Sequence, residues 1–319
     1  MDQGQNQLFS LAEDRGKRLD VFLANSLRSV SRERAKALIA AGKISLNGII
    51  IQKPDHKLKG GESIQIETLD DETPVLSPPP EFVPLPVLYE DDYIMIVNKP
   101  AGVPTHPTPA DLHHSVLNGL LSMNRTLSDM GDPLRRGIVH RLDKQTYGLL
   151  IIAKDNEAHL NLLKMFKERT IHKTYIAVTY GVMTQQTGII DTFIGRHPVD
   201  RKKMTTRITR GRRAVTSFRV LKTFDDATVV VLSPRTGRTH QIRTQLSERG
   251  YPIINDTLYS KKKAVFRSLP LQKMVLLLDG IALFAYALSF LHPISGMQLS
   301  FSAPFPLWLK EVLREDELS

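Results

Sequence analysis

The chain has 319 residues, 41% of them hydrophobic, with 43 Lys and Arg against 33 Asp and Glu and a formal net charge of +10. That length holds two domains and at least one sizeable core, and the positive balance favours a polyanionic partner such as nucleic acid. The lack of any cysteine excludes disulfides, thiol catalysis and cysteine-based zinc sites.

In chain order, the first residues, Met1-Asp2-Gln3-Gly4-Gln5-Asn6-Gln7, are polar and show no signal-peptide pattern. Leu19, Phe22 and Leu23 then recur at the spacing of one apolar helix face. Ser31 is placed to cap a second helix, in which Ala35, Leu38 and Ile39 share a face and which Gly42 ends. Arg32, Arg34, Lys36 and Lys43 put cations on or beside that helix. Ile44-Ser45-Leu46 and Ile49-Ile50-Ile51 flank Asn47-Gly48, a two-residue hairpin signal. A last strand is expected over Ser63–Glu67. Two helices followed by a small sheet, with a cationic second helix, suit RNA binding, although a merely solvated helix face would look alike. The module is taken as residues 1–72. Residues 73–86 carry six prolines, a composition that makes a semi-rigid, extended linker.

From residue 87 to 319 the pattern changes. Strands are expected at Tyr93–Asn98, Gly137–Leu142, Leu149–Ala153, Thr174–Tyr180, Ala214–Lys222, Thr228–Pro234 and Met297–Ser302. Helices are expected at Ser115–Met123, Asn156–Lys167 and His240–Arg249. The apolar stretch near Met274–Leu291 is broken by Asp279 and Gly280 and falls short of the ~20 residues of a bilayer span, so it reads as a core strand. The order lacks the even βαβ alternation of a doubly wound fold, and α+β with a large mixed sheet is expected. No phosphate-binding glycine loop occurs. Arg196–Arg213 holds eight Arg or Lys, including Arg201, Lys202 and Lys203, against the single acid Asp200. It reads as an RNA-facing hairpin or as a solubilising loop. No membrane partner, a cytoplasmic location and a monomer are expected.

Chemistry concentrates at His140-Arg141-Leu142-Asp143-Lys144-Gln145-Thr146-Tyr147-Gly148, a charged turn between apolar runs. A carboxylate at the mouth of a buried strand pair needs a cation to stay ionised. So placed, Asp143 could serve as nucleophile or general base, or simply as half of a structural salt bridge. A metal site of His140, Asp143 and His240 is disfavoured, since the two histidines lack the tight spacing of helical ligand pairs and no metal-binding motif surrounds them.

Gly137–Lys154 (GIVHRLDKQTYGLLIIAK) resembles the signature of the RluA-type pseudouridine synthases. Asn98–Gly102, Lys173–Ala177, Arg196–Met204 and Thr236–Arg243 resemble further motifs of that family, in family order. Arg18-Leu19-Asp20, Ser31-Arg32 and Gly42 through Gly48 make the first module similar to the alpha-L RNA-binding domain of small-subunit ribosomal protein four. The resemblance implies a pseudouridine synthase fold and the isomerisation of uridine, which needs no cofactor because substrate and product have the same atoms. It implies Asp143 as the carboxylate that attacks the sugar or removes a sugar proton. By the same resemblance Tyr175 stacks on the base and relays a proton, Arg243 pairs with the carboxylate, and Arg141 replaces a flipped nucleotide in the stack. Arg238 and His240, in the Thr236–Arg243 motif, are expected to contact RNA. The module order points to large-subunit ribosomal RNA, with transfer RNA or a non-catalytic assembly role as alternatives. Tyr147, Gln245, Asn255 and Phe284 stand where the family more often has Ser, His, Gly and His, which leaves local packing and target choice open.

Overall fold

The computed structural model describes residues 7–27, 30, 32–67, 78–108, 111–208, 210–262 and 265–318. The chain divides into two compact units, residues 1–77 with 129–136 and residues 78–128 with 137–319. The first holds β1 (Gln7–Phe9), α1 (Leu19–Ser26), α2 (Arg32–Ala40), β2 (Ile44–Leu46), β3 (Ile49–Ile50) and β4 (Ser63–Ile66). The strands form one antiparallel sheet in the order β1-β4-β2-β3. Leu19, Leu23, Ala35, Ile39 and Ile64 are fully buried between the helices and that sheet. Asn47 and Gly48 both take positive φ, as a tight two-residue hairpin turn requires, and the Asn47 side chain accepts a hydrogen bond from Ser63 N at 2.8 Å. The expected cap at Ser31 lies outside the described residues.

The second unit carries β5 (Val87–Glu90), β6 (Ile94–Lys99), α3 (Val116–Ser122), β7 (Tyr147–Ala153), α4 (Asn156–Glu168), β8 (His172–Tyr180), β9 (Thr187–Arg196), β10 (Met204–Thr205), β11 (Arg212–Thr223), β12 (Ala227–Pro234), α5 (Gln241–Glu248), α6 (Leu269–Leu276), β13 (Leu283–Leu291), β14 (Gln298–Ser302) and α7 (Leu307–Lys310). The described strands form a ten-stranded sheet in the order β10-β9-β11-β12-β8-β13-β7-β6-β5, with β14 also on β13. Only the β13–β7 pairing is parallel; the rest are antiparallel. This is the mixed, mainly antiparallel α+β architecture expected. At that parallel step the backbones approach closely: a Cβ on Gly148 would meet Ala285 O at 2.3 Å, and its φ of +117° is one that side chains rarely adopt.

Three expectations need correction. Gly137–Leu142 is not a strand; only Ile138 bridges Ile152. The His140 ring takes the Ile151 N–H at 2.8 Å, so a side chain occupies the donor that a ladder carbonyl would have used. The core strand expected in the Met274–Leu291 run is β13 and begins only at Leu283; Met274–Leu276 are the end of α6, and the turn at Asp279 and Gly280 lies between them. The second half of the proline-rich stretch is not a free linker. Val83 and Leu85 are buried there, and Asn118 of α3 donates to Pro79 O and accepts from Glu81 N. A Cβ on Gly119 would sit 2.8 Å from the Leu85 side chain, so this segment needs the bare backbone it packs on. Apolar residues interleaved with prolines thus find a helix face instead of solvent.

Candidate active site

Asp143 stands in the turn that leads into β7, and its backbone is pinned from both sides. Leu142 N donates to Thr105 Oγ at 3.1 Å, and that hydroxyl donates to Leu142 O at 2.8 Å. Thr146 N donates to Asp143 O at 3.0 Å. Beneath the turn, the Lys99 ammonium donates to Pro100 O, Val103 O and Lys144 O at 2.7, 2.8 and 3.1 Å. Lys99 has no exposed surface, and burial pushes its amine down to about 7 while the charge of Asp143 acts the other way. The three carbonyl acceptors also favour the ammonium.

Arg243 reaches Asp143 from α5. Its Nη1 donates to Asp143 Oδ2 at 2.9 Å, while Nε and Nη2 donate to the two oxygens of Asp256 at 2.8 and 2.9 Å. Asp256 is 1% exposed and Arg243 is 7% exposed. The guanidinium is therefore locked by a two-pronged bond on one side and offers a single N–H to Asp143 on the other. Burial opposes the charge on Arg243, but Asp256 and Asp143 together hold its pKa above the ordinary value. Its far face lies 5.2 Å from the Tyr259 ring centre.

Asp143, Tyr175 and Arg243 line one cleft of about 490 Å³, in which Arg141, Lys167, Arg169, Lys173, Arg235, Arg238 and His240 add cations or donors and Asp143 is the one carboxylate. Arg141 is exposed on its rim. Tyr175, on β8, has its phenol raised well above the ordinary value, first by burial and then by the charge of Asp143. It therefore stays a neutral hydroxyl. His140 is pushed down to about 3, by burial and then by Lys173, and stays neutral. Its Nε2 already accepts from Ile151 N, and among the described residues no group of three His, Cys, Asp or Glu is arranged to hold a metal ion. His240 lies 3.8 Å from Asp143 by Nε2, and its Nδ1 is 2.9 Å from the Tyr259 hydroxyl.

The chain matches the model of the RNA pseudouridylate synthases over residues 93–248 and that of the S4 domain over residues 17–64. It is 38% identical over 302 residues to an uncharacterized RNA pseudouridine synthase of Aquifex aeolicus, covering 94% of both chains. It is also 38% identical over 307 residues to ribosomal large subunit pseudouridine synthase D of Vibrio cholerae, covering 94% of this chain and 92% of the other. The chain belongs to the RNA pseudouridine synthases. Its fold is shared with the solved human RNA pseudouridylate synthase domain containing 1, at a TM-score of 0.57 and 22% identity over 74% of this chain and 93% of that one.

The four departures from the synthase pattern all do structural work. The Tyr147 hydroxyl accepts from Asp279 N and Gly280 N, both at 2.9 Å, and its ring packs 5.8 Å from Trp308. Gln245 is buried and its amide spends every bond on the sheet: it accepts from Thr216 and donates to Ile190 O, Thr192 and Ala214 O. Asn255 takes φ of +65°, a conformation glycine would adopt freely, and donates to Gly280 O at 2.7 Å. Phe284 is buried against Tyr286 and Phe305.

The expected RNA contacts of this synthase are dispersed. Arg238 and His240 face the cleft, whereas Arg201, Lys202 and Lys203 sit in the β9–β10 turn outside its lining. Lys43 pairs with Glu67 at 3.2 Å on the surface of the S4 domain, and Arg34 and Lys36 lie half-buried on α2; the Arg32 side chain lies outside the described residues. Sequence reasoning missed Lys99, Asp256 and Tyr259. Lys99 stands in a motif already noticed, Asn98–Gly102, and Asp256 follows the noted Asn255, but nothing in sequence distance tells that they converge on Asp143 and Arg243.

Proposed function

We propose that this synthase isomerises uridines of large-subunit ribosomal RNA in the cytoplasm, with Asp143 as the carboxylate that attacks the sugar or removes a sugar proton. The observation that carries the reading is the 2.9 Å bond from Arg243 Nη1 to Asp143 Oδ2 inside a cationic cleft. It holds the carboxylate in one rotamer, where a polyanion would be drawn in. The N1–C1′ bond breaks, the base turns, and C5 bonds to C1′; C5 then gives up its proton and N1 gains one. Tyr175, kept neutral, can stack on the uracil and relay a proton. Arg141 on the rim is placed to fill the gap left by a nucleotide turned out of its stack. Arg238 and the Arg201–Lys203 turn, with Arg32, Arg34, Lys36 and Lys43 of the S4 domain, bind phosphates, and His240 contacts the RNA inside the cleft. Ribosomal RNA is favoured over transfer RNA because relatives such as the Vibrio cholerae protein are named for the large ribosomal subunit.

Asp143→Asn keeps the shape but cannot supply a carboxylate. Release of tritium from C5-labelled uridine should vanish while RNA affinity stays within a few-fold. Substantial turnover by the variant would reject Asp143, and pseudouridines that survive in large-subunit RNA of cells lacking the protein would reject the target.

A further inference from the structure

His240 opens α5 with φ of +53°, an uncommon backbone for a residue with a side chain, and this turns its ring into the cleft beside Asp143. The ring is gripped from behind. Tyr259 Oη lies 2.9 Å from Nδ1 and accepts a hydrogen bond from Met204 N at 2.8 Å. That bond uses one of the two lone pairs and leaves the phenol proton available to Nδ1. Electrostatics select the same arrangement. Nε2 faces Asp143 Oδ2 at 3.8 Å. A bare lone pair there would oppose an anion, whereas an N–H would be attracted to it. Burial lowers the pKa of His240, and Arg243 and Arg141 add to that against the pull of Asp143 and Asp256. The ring is thus a neutral imidazole with its single proton on Nε2.

At 3.8 Å that N–H is too far from the carboxylate to be spent on it. It projects into the space that the reacting sugar must fill if Asp143 acts on C1′ or C2′. The geometry points to His240 Nε2–H as the donor that binds the 2′-oxygen of the target uridine, with Tyr259 as the positioning residue that fixes the tautomer. The other ribose oxygen near the reacting carbon, O4′, loses electron density as the N1–C1′ bond breaks. A donor placed on it would work against the reaction. The 2′-oxygen keeps its lone pairs, and it is the atom that distinguishes RNA from DNA at a single site. This inference rests on the reading of Asp143 as the group that faces the ribose.

The test uses a stem-loop carrying either uridine or 2′-deoxyuridine at the modified position. Equilibrium binding is measured with Asp143→Asn as background, so that no turnover intervenes. The single hydrogen bond should make the ribose form bind about fivefold more tightly. Adding His240→Gly, which suits the positive φ and removes the donor together with its ring, should bring that ratio to about one. Tyr259→Phe keeps the ring against Arg243 and should lower the ratio part of the way. In the wild-type protein, nitrogen NMR of the His240 ring should find the proton on Nε2, and in Tyr259→Phe a mixture of tautomers. A ratio unchanged by His240→Gly, or a proton found on Nδ1 in the wild type, would overturn the proposal. Failure of the Asp143 reading would appear separately, as turnover in the Asp143→Asn background.

Discussion

Removing the acceptor behind Arg243 should disable the site from a distance. In Asp256→Ala the guanidinium loses both bonds, from Nε and from Nη2, while staying buried. Taking one partner from a buried ion pair costs about 3–5 kcal/mol. Arg243 keeps Asp143, and only its Nη1 bond, so the low end applies. For a domain of this size, about 3 kcal/mol corresponds to a melting point lower by about 6–12 °C. Catalysis should suffer more than stability. The freed fork can pivot on the single Asp143 contact, and a displacement of roughly 1 Å at a reacting group can cost about a hundredfold in rate. Asp256→Asn should be milder, because one oxygen remains to accept. Single-turnover tritium release, with RNA affinity measured in parallel, separates the effects: the rate should fall about tenfold or more while the dissociation constant changes little. Rates within twofold of wild type in both variants, with an unchanged melting point, would refute the idea that Asp256 holds the guanidinium in place.

Lys99 should leave a signature in the pH dependence of stability. Its ordinary value is 10.5 and the fold depresses it to about 7. Between those values the unfolded chain holds a proton that the fold has released, so stability should rise with pH across this window, by at most about 1.4 kcal/mol per pH unit. Urea midpoints at pH 7.5 and 9.5 should show the rise in wild type and its loss in Lys99→Met; equal slopes would reject it. Tyr147→Phe should destabilise by about 1–3 kcal/mol, because the N–H groups of Asp279 and Gly280 lose their acceptor. An unchanged melting point would show that solvent replaces the hydroxyl without cost. Deleting residues 1–72 should weaken binding to long structured RNA and flatten its salt dependence while sparing chemistry on a short stem-loop. Equal affinity across a salt titration would exclude the S4 domain as an RNA anchor.

What was legible in the sequence follows from how local each cause is. The Asn47-Gly48 turn needs only the conformations of two residues, and it could be read directly. Strand β9 was missed although Ile190, Thr192 and Ile194 alternate inward, because exposed Ile189 and Phe193 on its other face blur the alternation. The Met274–Leu291 run hid a helix for a related reason: a short apolar stretch has no period to separate helix from strand. Gly137–Leu142 looked like a strand because its composition is that of one, and what displaced it is a side chain, His140, competing for a ladder donor. Distance in sequence hid more. Asp143 and Arg243 lie 100 positions apart, and only the family motifs placed them together. Lys99, Asp256 and Tyr259 sit behind them and carry no local mark of that role.

The same distinction explains why the four departures are compatible with the family's reaction. Tyr147, Gln245 and Asn255 spend their polar atoms on backbone or side-chain partners within the fold, and Phe284 has none to spend. None of them supplies a group to the cleft. Asp256 is the opposite case: it too points away from the cleft, yet it holds both far nitrogens of the residue that touches Asp143. Change at the first kind of position is absorbed by repacking, because its partners are all inside the fold. Change at the second is transmitted along a rigid guanidinium to the carboxylate. A substitution in this enzyme should therefore be weighed by whether its bonds end in the core or at Arg243, and not by how far it lies from Asp143.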